Sequence, residues 1–452
     1  MTDERSTAST AASLSRRQFL GLTLGAAALP TATAALGTAP RVARAAGPVE
    51  LRWVADRQPA LDLAFDRAQV WAQRTGKAQI VRAPISYQVY VEKMSAELLL
   101  DKPNADILWH NDDWGQLWGQ YLEPLEDITE IRAKTDTKMY APFWVWDGKV
   151  TGLPWVQTLQ SFFIRKDLIP EKEVVDWHWT DVVDRLSKLQ KAGKVKWGFV
   201  GGMKYPHDYF TWLWSLWANN TDLYAPAYER DNAVLQKTGW KSLARTKNWV
   251  EVANFWWDAV HTNNICPPGL PGYSRTDADA IFMAGGAAMV NQDTTLFGTY
   301  RDPQKSKIHD RIGFAGFPMG PSATKRDGHQ APWGFAIPRK ADPEKKAVAK
   351  EVLRFLLTDE ESQALIWTKT GGFPSNNDVV KKLAASDPLF NHVADVTIRA
   401  PLLVLPAYYF PQWPKANATL SDMLGKGIIG AKSDFPKVLD ELAAEFEKIP
   451  QA

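Results

Sequence analysis

Apolar and polar positions alternate with a period of two from Val49 to Val54: Val49, Leu51 and Trp53 face one way, Glu50 and Arg52 the other. That alternation predicts a strand. Asp56, Arg57, Gln58 and Pro59 break it. The period then lengthens. Leu61, Ala64, Phe65, Ala68, Trp71 and Ala72 fall three or four residues apart, the stripe of an amphipathic helix, and Gly76 supplies its stop. A second strand is expected over 78–83. Tyr90, Val91, Met94, Leu98 and Leu99 mark a second helix, 101–104 is a turn, and 106–109 reads as a third strand. Strand–helix alternation of this kind predicts a parallel α/β sheet.

The alternation resumes further along. Residues 161–164 form an apolar strand, and Trp179-Thr180 opens a helix with Val182, Val183, Leu186 and Leu189 on one face, ended by Gly193. Residues 197–200 read as a strand, and 248–261 as a strongly apolar helix carrying Val252, Phe255, Trp256 and Val260. Asp342-Pro343-Glu344 is a helix start, with Asp as N-cap, Pro in the first turn and Glu against the dipole. Thr358 to Glu361 predicts a capping box for the next helix, which stops near Gly371-Gly372. No internal repeat is present.

The first 45 residues are not expected to join this pattern. Ser15-Arg16-Arg17-Gln18-Phe19-Leu20-Gly21 matches the twin-arginine export signal, a weakly apolar stretch runs from Leu22 to Leu36, and Ala43-Arg44-Ala45 is a small-x-small cleavage site. The apolar run is too short for a membrane span, which needs about 20 apolar residues. The expected mature protein is therefore exported, periplasmic or extracellular. Removing five basic and two acidic leader residues leaves 48 Lys/Arg against 49 Asp/Glu, a net charge of −1. Such a balance argues against nucleic acid, which demands a basic face. Cys266 is the single cysteine, so there is no disulfide framework and no cysteine metal cluster; it is read as a buried thiol. The chain carries 21 Trp, enough either for a large aromatic core or to line a cleft with flat faces that suit sugar C–H groups.

Several segments in a fixed order carry a resemblance: Ala105-Asp106-Ile107-Leu108-Trp109; Asp147-Gly148-Lys149 with Gly152-Leu153-Pro154; Ala280-Ile281-Phe282 with Gly286-Ala287-Ala288-Met289; and Gly313 to Pro318. The chain resembles the extracellular solute-binding proteins of family 1, the maltose-binding-protein-like proteins that serve ABC importers, from about Val49 to about Gly430. The resemblance implies an α/β, two-lobed periplasmic-binding-protein fold of type II, with a ligand cleft between the lobes. It implies an N-terminal lobe over 49–155 plus 316–357 and a C-terminal lobe over 158–315 plus 358–452. Crossovers would lie near Trp155 to Thr158, near Ala315 to Pro318 and near Leu356 to Asp359. It also implies a monomer that closes on a carbohydrate and delivers it to permease subunits, with no cofactor and no metal.

Candidate ligand contacts follow from the same likeness. Trp109, Asp112 and Asp113 fall where relatives place an aromatic residue and a carboxylate after a strand, and ligands of open α/β sheets bind outside strand carboxyl ends. Asp56 and Arg57 follow the first strand in the same way. Trp155, Gln157 and Thr158 sit at the expected first crossover; a cleft carboxylate of maltose binders aligns with Thr158, which puts maltodextrin specificity in doubt. Tyr209 matches a stacking aromatic, with His207 and Asp208 beside it. Asn291 and Asp293 follow the 286–289 strand, Trp333 matches a glycine-aromatic step, and Trp413, in a proline-rich loop with Tyr408 and Tyr409, matches a stacking Trp.

Enzyme readings lack their motifs. There is no Gly-x-Ser-x-Gly elbow, no His-Glu-x-x-His, and Ala284-Gly285-Gly286-Ala287 lacks the Lys-Ser/Thr of a phosphate loop. A glycosidase needs two opposed carboxylates, and Asp112 and Asp113 are adjacent. A carbohydrate-active enzyme using Asp112 with Asp208 or Asp293 stays open as an alternative. So does a binding protein for a cationic small molecule such as a polyamine, which Asp112, Asp113, Tyr209 and Trp109 would suit.

Overall fold

A computed structural model of the chain describes residues 47–205, 209–227, 232–324, 328–398, 402–403 and 412–449. The export signal and the cleavage site lie outside the described residues. So do His207, Asp208, Tyr408 and Tyr409. No helix among the described residues is long and apolar enough to cross a membrane.

One strand, Leu153–Arg165, organises the rest. It is thirteen residues long and buried at all but one position, so it reads as an apolar run rather than an alternation. Its first half pairs antiparallel with Gly328–Ala336, from Phe335 against Leu153 to Gln330 against Leu159. Its second half pairs antiparallel with Ala287–Asp293 and with Ile312–Ala315. Ten of the twelve described strands thereby join one mixed sheet, and Val145–Trp146 and Lys149–Val150 pair with each other apart from it. Along its main path the order is 78–84, 49–55, 107–111, 328–336, 153–165, 287–293, 197–200.

The first half of the molecule holds the alternation read from sequence. Val49–Ala55 lies parallel to both Ala78–Pro84 and Ile107–Asn111, and helix Pro59–Thr75 ends at Gly76 with φ 66°. Asp106 precedes the third strand instead of belonging to it. Its buried carboxylate accepts from the Arg52 amide at 2.8 Å and from Lys345 at 2.9 Å, tying the first strand to helix Pro343–Thr358. Asp342 caps that helix through the Glu344 and Lys345 amides.

Beyond the spine, helices Trp179–Lys191 and Lys247–His261 pack among strand Trp197–Val200 and a dense set of aromatic rings. Trp212, Trp217, Trp249 and Trp256 are fully buried there, and Cys266 is buried with its thiol pKa pushed up by desolvation. Tryptophan thus serves mainly as core, where each ring removes a large apolar area from water.

One expectation shifts by local chemistry. The cap at the 358–361 turn is Asp359, which accepts from the Ser362 amide, while Thr358 bonds back to the Arg354 carbonyl and Glu361 pairs with Arg67. A carboxylate next to an arginine outcompetes a hydroxyl for that position. Trp177 and Trp179 donate to the Gly316 and Pro318 carbonyls, and the Gly320 amide donates to Ala218. These bonds tie residues 316–320 to Trp177, Trp179 and Ala218.

Gly334 marks the tightest point of the spine pairing. The register shifts between Trp333 and Gly334, and a Cβ on Gly334 would sit 1.8 Å from the Leu153 carbonyl oxygen. Gly334→Ala must push the two strands apart, so thermal unfolding of the variant is expected to show a loss of about 1–3 kcal/mol. An unchanged melting temperature would mean that these strands separate without cost.

Candidate functional site

The third strand ends in a single tight turn, Asp112–Trp114, directed out of the carboxyl edge of the sheet. Both aspartates are buried: Asp112 is 1% exposed and Asp113 7%. The Asn111 side-chain amide donates to Asp113 at 2.7 Å. Trp114 stacks on Tyr90 with centroids 5.2 Å apart, and packs 4.8 Å from both Trp109 and Trp118. Trp333 meets Trp109 edge-on at 5.6 Å. His110 lies between Trp144 and Trp118, at 5.1 and 6.0 Å. This aromatic block holds the turn rigid from below.

Above the turn is a cavity of about 270 Å³. One wall is Asp113 and Trp114 with Tyr87, Gln88, Val91 and Glu92 from the start of helix Tyr87–Leu99. The facing wall is Tyr205 with Trp413, Pro414 and Asn417 from the start of helix Trp413–Ile429. Its two walls come from segments some three hundred residues apart in the chain, 87–114 against 413–417. A larger groove of about 760 Å³ runs between helices 179–191 and 247–261, past Trp179, Val183 and Phe255. It lies along helix flanks instead of at strand ends, and none of the ligand contacts expected from the sequence lines it, so the smaller cavity is the better candidate.

Burial sets the electrostatics. Desolvation drives the Asp113 carboxyl up to about 7, against the opposing pull of the Asn111 amide, its own backbone amide and the Trp413 indole. Desolvation likewise lowers His110 to about 3, so it sits in the aromatic block as a neutral ring. Among the described residues Asp113 enters no ion pair, and no group of three or more His, Cys, Asp or Glu is placed to hold a metal ion.

Of the residues singled out from sequence, Asp113 and Trp413 meet at this cavity, and Asp112 is buried next to Asp113 in the same turn. Trp109 and Trp333 lie beneath it as support, each nearly fully buried. The others are engaged elsewhere. Trp155 is completely buried and donates to the Ala60 carbonyl at 2.9 Å; Thr158 donates to Ala331 at 3.0 Å; the Asn291 amide donates to Ser161 at 3.1 Å. Asp293 pairs with Arg275 and caps the turn at Thr295. Arg57 is exposed and pairs with Asp62 at 3.1 Å, while Asp56 accepts from Gln58 at 3.1 Å. Gln157 is half-buried within the spine, opposite Pro332 and Phe373. Tyr209 begins helix Tyr209–Trp217, and its side chain lies outside the described residues.

Sequence reasoning missed Tyr87, Gln88, Glu92, Tyr205 and Asn417 as cavity residues. For the first three a signal existed: they open the helix that follows the second strand, at the same sheet edge as the 112–114 turn. Nothing in the periodicity marks Tyr205 or Asn417.

The raised Asp113 value makes a stability prediction. An unfolded aspartate titrates at about 3.9, so between there and about 7 the folded state holds a proton that the unfolded state releases. Stability from this group therefore falls as pH rises through that window and levels off above it. Asp113→Asn is expected to melt higher than the parent at pH 8 and alike at pH 4. Equal melting temperatures at both pH values would show that the carboxylate is fully compensated within the fold.

No curated protein matches the sequence. Solved structures do match the fold. The maltose-bound MalE3 of T. maritima is 20% identical with a TM-score of 0.74, covering 88% of this chain and 99% of its own. A solute-binding protein of an ABC transporter from Agrobacterium radiobacter, in complex with ribitol, is 20% identical with a TM-score of 0.72, covering 88% and 98%. Another from Thermotoga lettingae, bound with α-D-tagatose, is 16% identical with a TM-score of 0.74, covering 89% and 99%. The fold is thus the two-lobed periplasmic-binding-protein architecture. The family model described as bacterial extracellular solute-binding protein matches residues 67–392, and this chain belongs to that family.

Proposed function

We propose that this chain captures a polyhydroxylated small molecule of the carbohydrate class outside the cytoplasm and delivers it to the permease of an ABC importer. The observation that carries this reading is the cavity at the strand ends. It is walled by the aromatic residues Tyr87, Trp114, Tyr205 and Trp413 and edged by the hydrogen-bonding groups of Gln88, Asp113 and Asn417. Aromatic faces supply contact area and a few fixed polar groups supply orientation. The sugars and alditols in the similar structures support the same class.

In this reading the two lobes, 49–155 plus 316–357 and 158–315 plus 358–452, rotate about the spine strand, with the 316–322 segment travelling with the second lobe. The 87–114 wall belongs to one lobe and the 413–417 wall to the other, so ligand contacts favour the closed form. A ligand that touched both forms equally would shift nothing. The protein acts as a monomer exported by the twin-arginine route, and its role is capture without chemical turnover.

Tyr205 offers the cleanest test because it is 40% exposed, so its removal costs the fold little. Ligand at a hundredfold excess over Kd stabilises by about 2.7 kcal/mol. In a thermal-shift screen of sugars and sugar alcohols, the parent is expected to gain stability with one class and to leave that compound chemically unchanged. Tyr205→Ala is expected to keep the ligand-free melting temperature and to bind several-fold more weakly. Full affinity in the variant would place the site elsewhere, and conversion of the sugar would make the protein an enzyme.

A further inference from the structure

Among the described residues the cavity walls carry acid and no base. Asp113 forms the buried floor, Glu92 stands at the exposed rim, and no lysine or arginine is among the described residues that line the space. Basic side chains nearby in sequence face other partners. Lys93 borders a separate surface hollow, Lys204 interacts with Asp277, Lys415 with Glu445, and Arg275 with Asp293.

The groups facing Asp113 are acidic, aromatic or neutral. Asp112 precedes it in the same turn, Asn111 donates to it, and the Trp413 indole borders the same space. Across the cavity stand Tyr205 and Asn417, with Tyr87 on the same wall and Glu92 at the edge. Partial positive charge comes from the amino ends of helices Trp413–Ile429 and Tyr87–Leu99, each worth about half a unit charge. That is too little to balance a buried carboxylate and a second one at the rim. Neither Asp113 nor Glu92 enters an ion pair among the described residues.

We propose that the ligand of this cavity is a polyhydroxylated amine, such as an amino sugar or an amino alditol, whose protonated nitrogen sits between Asp113 and Glu92. The inference rests on the carbohydrate-capture reading and narrows its substrate class. An ammonium group supplies the charge that the buried carboxylate lacks, and charge-assisted hydrogen bonds are about twice as strong as neutral ones. Four aromatic residues around the space favour a cation as well, since ring faces attract ammonium groups within about 6 Å. The cavity, about 270 Å³, is slightly smaller than the usual small-molecule site of about 300 to 1,000 Å³, and suits a single ring or a short chain. The raised Asp113 value adds a pH signature. Ammonium binding requires the carboxylate, so affinity falls as the Asp113 proton is restored below about 7.

The test is calorimetric titration of the purified protein at pH 5.5 and 7.5. The panel holds 2-amino-2-deoxyhexoses, their parent hexoses, their N-acetyl forms, 1-amino-1-deoxyalditols, the parent alditols, putrescine and spermidine. One amino compound is expected to bind at least tenfold tighter than both its parent and its N-acetyl form, with affinity lower at pH 5.5. Asp113→Asn is expected to erase the preference and the pH dependence, and Glu92→Gln, an exposed change that leaves the fold alone, to reduce the preference severalfold. A neutral sugar that binds as tightly as its amino form overturns this proposal and leaves the capture reading standing. Binding of putrescine or spermidine with no sugar response overturns both. No binding by any amino compound in the panel overturns the proposal, as does a preference that survives both substitutions.

Discussion

Hydrogen bonding along both edges of one strand is the constraint on which this molecule depends. Leu153–Arg165 is paired along its first half with 328–336 and along its second half with 287–293 and 312–315. Side chains alternate with a period of two, so a slip of one residue would reverse every face at once. Trp155 would lose the Ala60 carbonyl and Thr158 the Ala331 carbonyl. The strand therefore fixes register for both halves, and it is the continuous backbone about which the proposed closure turns.

From that frame the site follows by burial. The 112–114 turn leaves the sheet at its carboxyl edge and is packed from beneath by Trp109, Trp118 and Tyr90. Dense aromatic packing excludes water, and excluded water raises the cost of a carboxylate. Asp113 is thus held at an expense to stability that a core aspartate would not justify. Perturbed carboxyls concentrate at functional sites for this reason: the same desolvation that burdens the fold strengthens each polar contact with a ligand. His110, deeper in the same block, shows the other outcome. It is desolvated with aromatic rings on two sides, and it stays neutral as a packing element.

Polar residues at neighbouring strand ends have divergent fates, and partners decide which. Asp293 also follows a strand and is completely buried, yet Arg275 and the Thr295 amide satisfy it. Asp106 is likewise buried and is satisfied by Lys345. Asp113 has the Asn111 amide as donor and, among the described residues, no cation. The three carboxylates look alike in sequence; what separates them is a charge brought in from elsewhere in the chain.

Local chemistry was legible without coordinates. The period-two run at 49–54, the helical stripe at 61–72 ended by Gly76, and the Asp342-Pro343 start all depend on neighbours within four residues, and each forms close to where the pattern put it. The ordered segments also carried the family and the two-lobed fold. The site was legible only in part. Asp113 and Trp413 were named, yet Trp155, Thr158, Asn291 and Asp293 have their polar groups engaged inside the fold, and Tyr205, Glu92 and Asn417 went unnoticed. The physical reason is range. Propensity and capping act over one turn of chain, whereas burial, charge compensation and cavity shape depend on segments such as 87–114 and 413–417 that only the tertiary structure brings face to face.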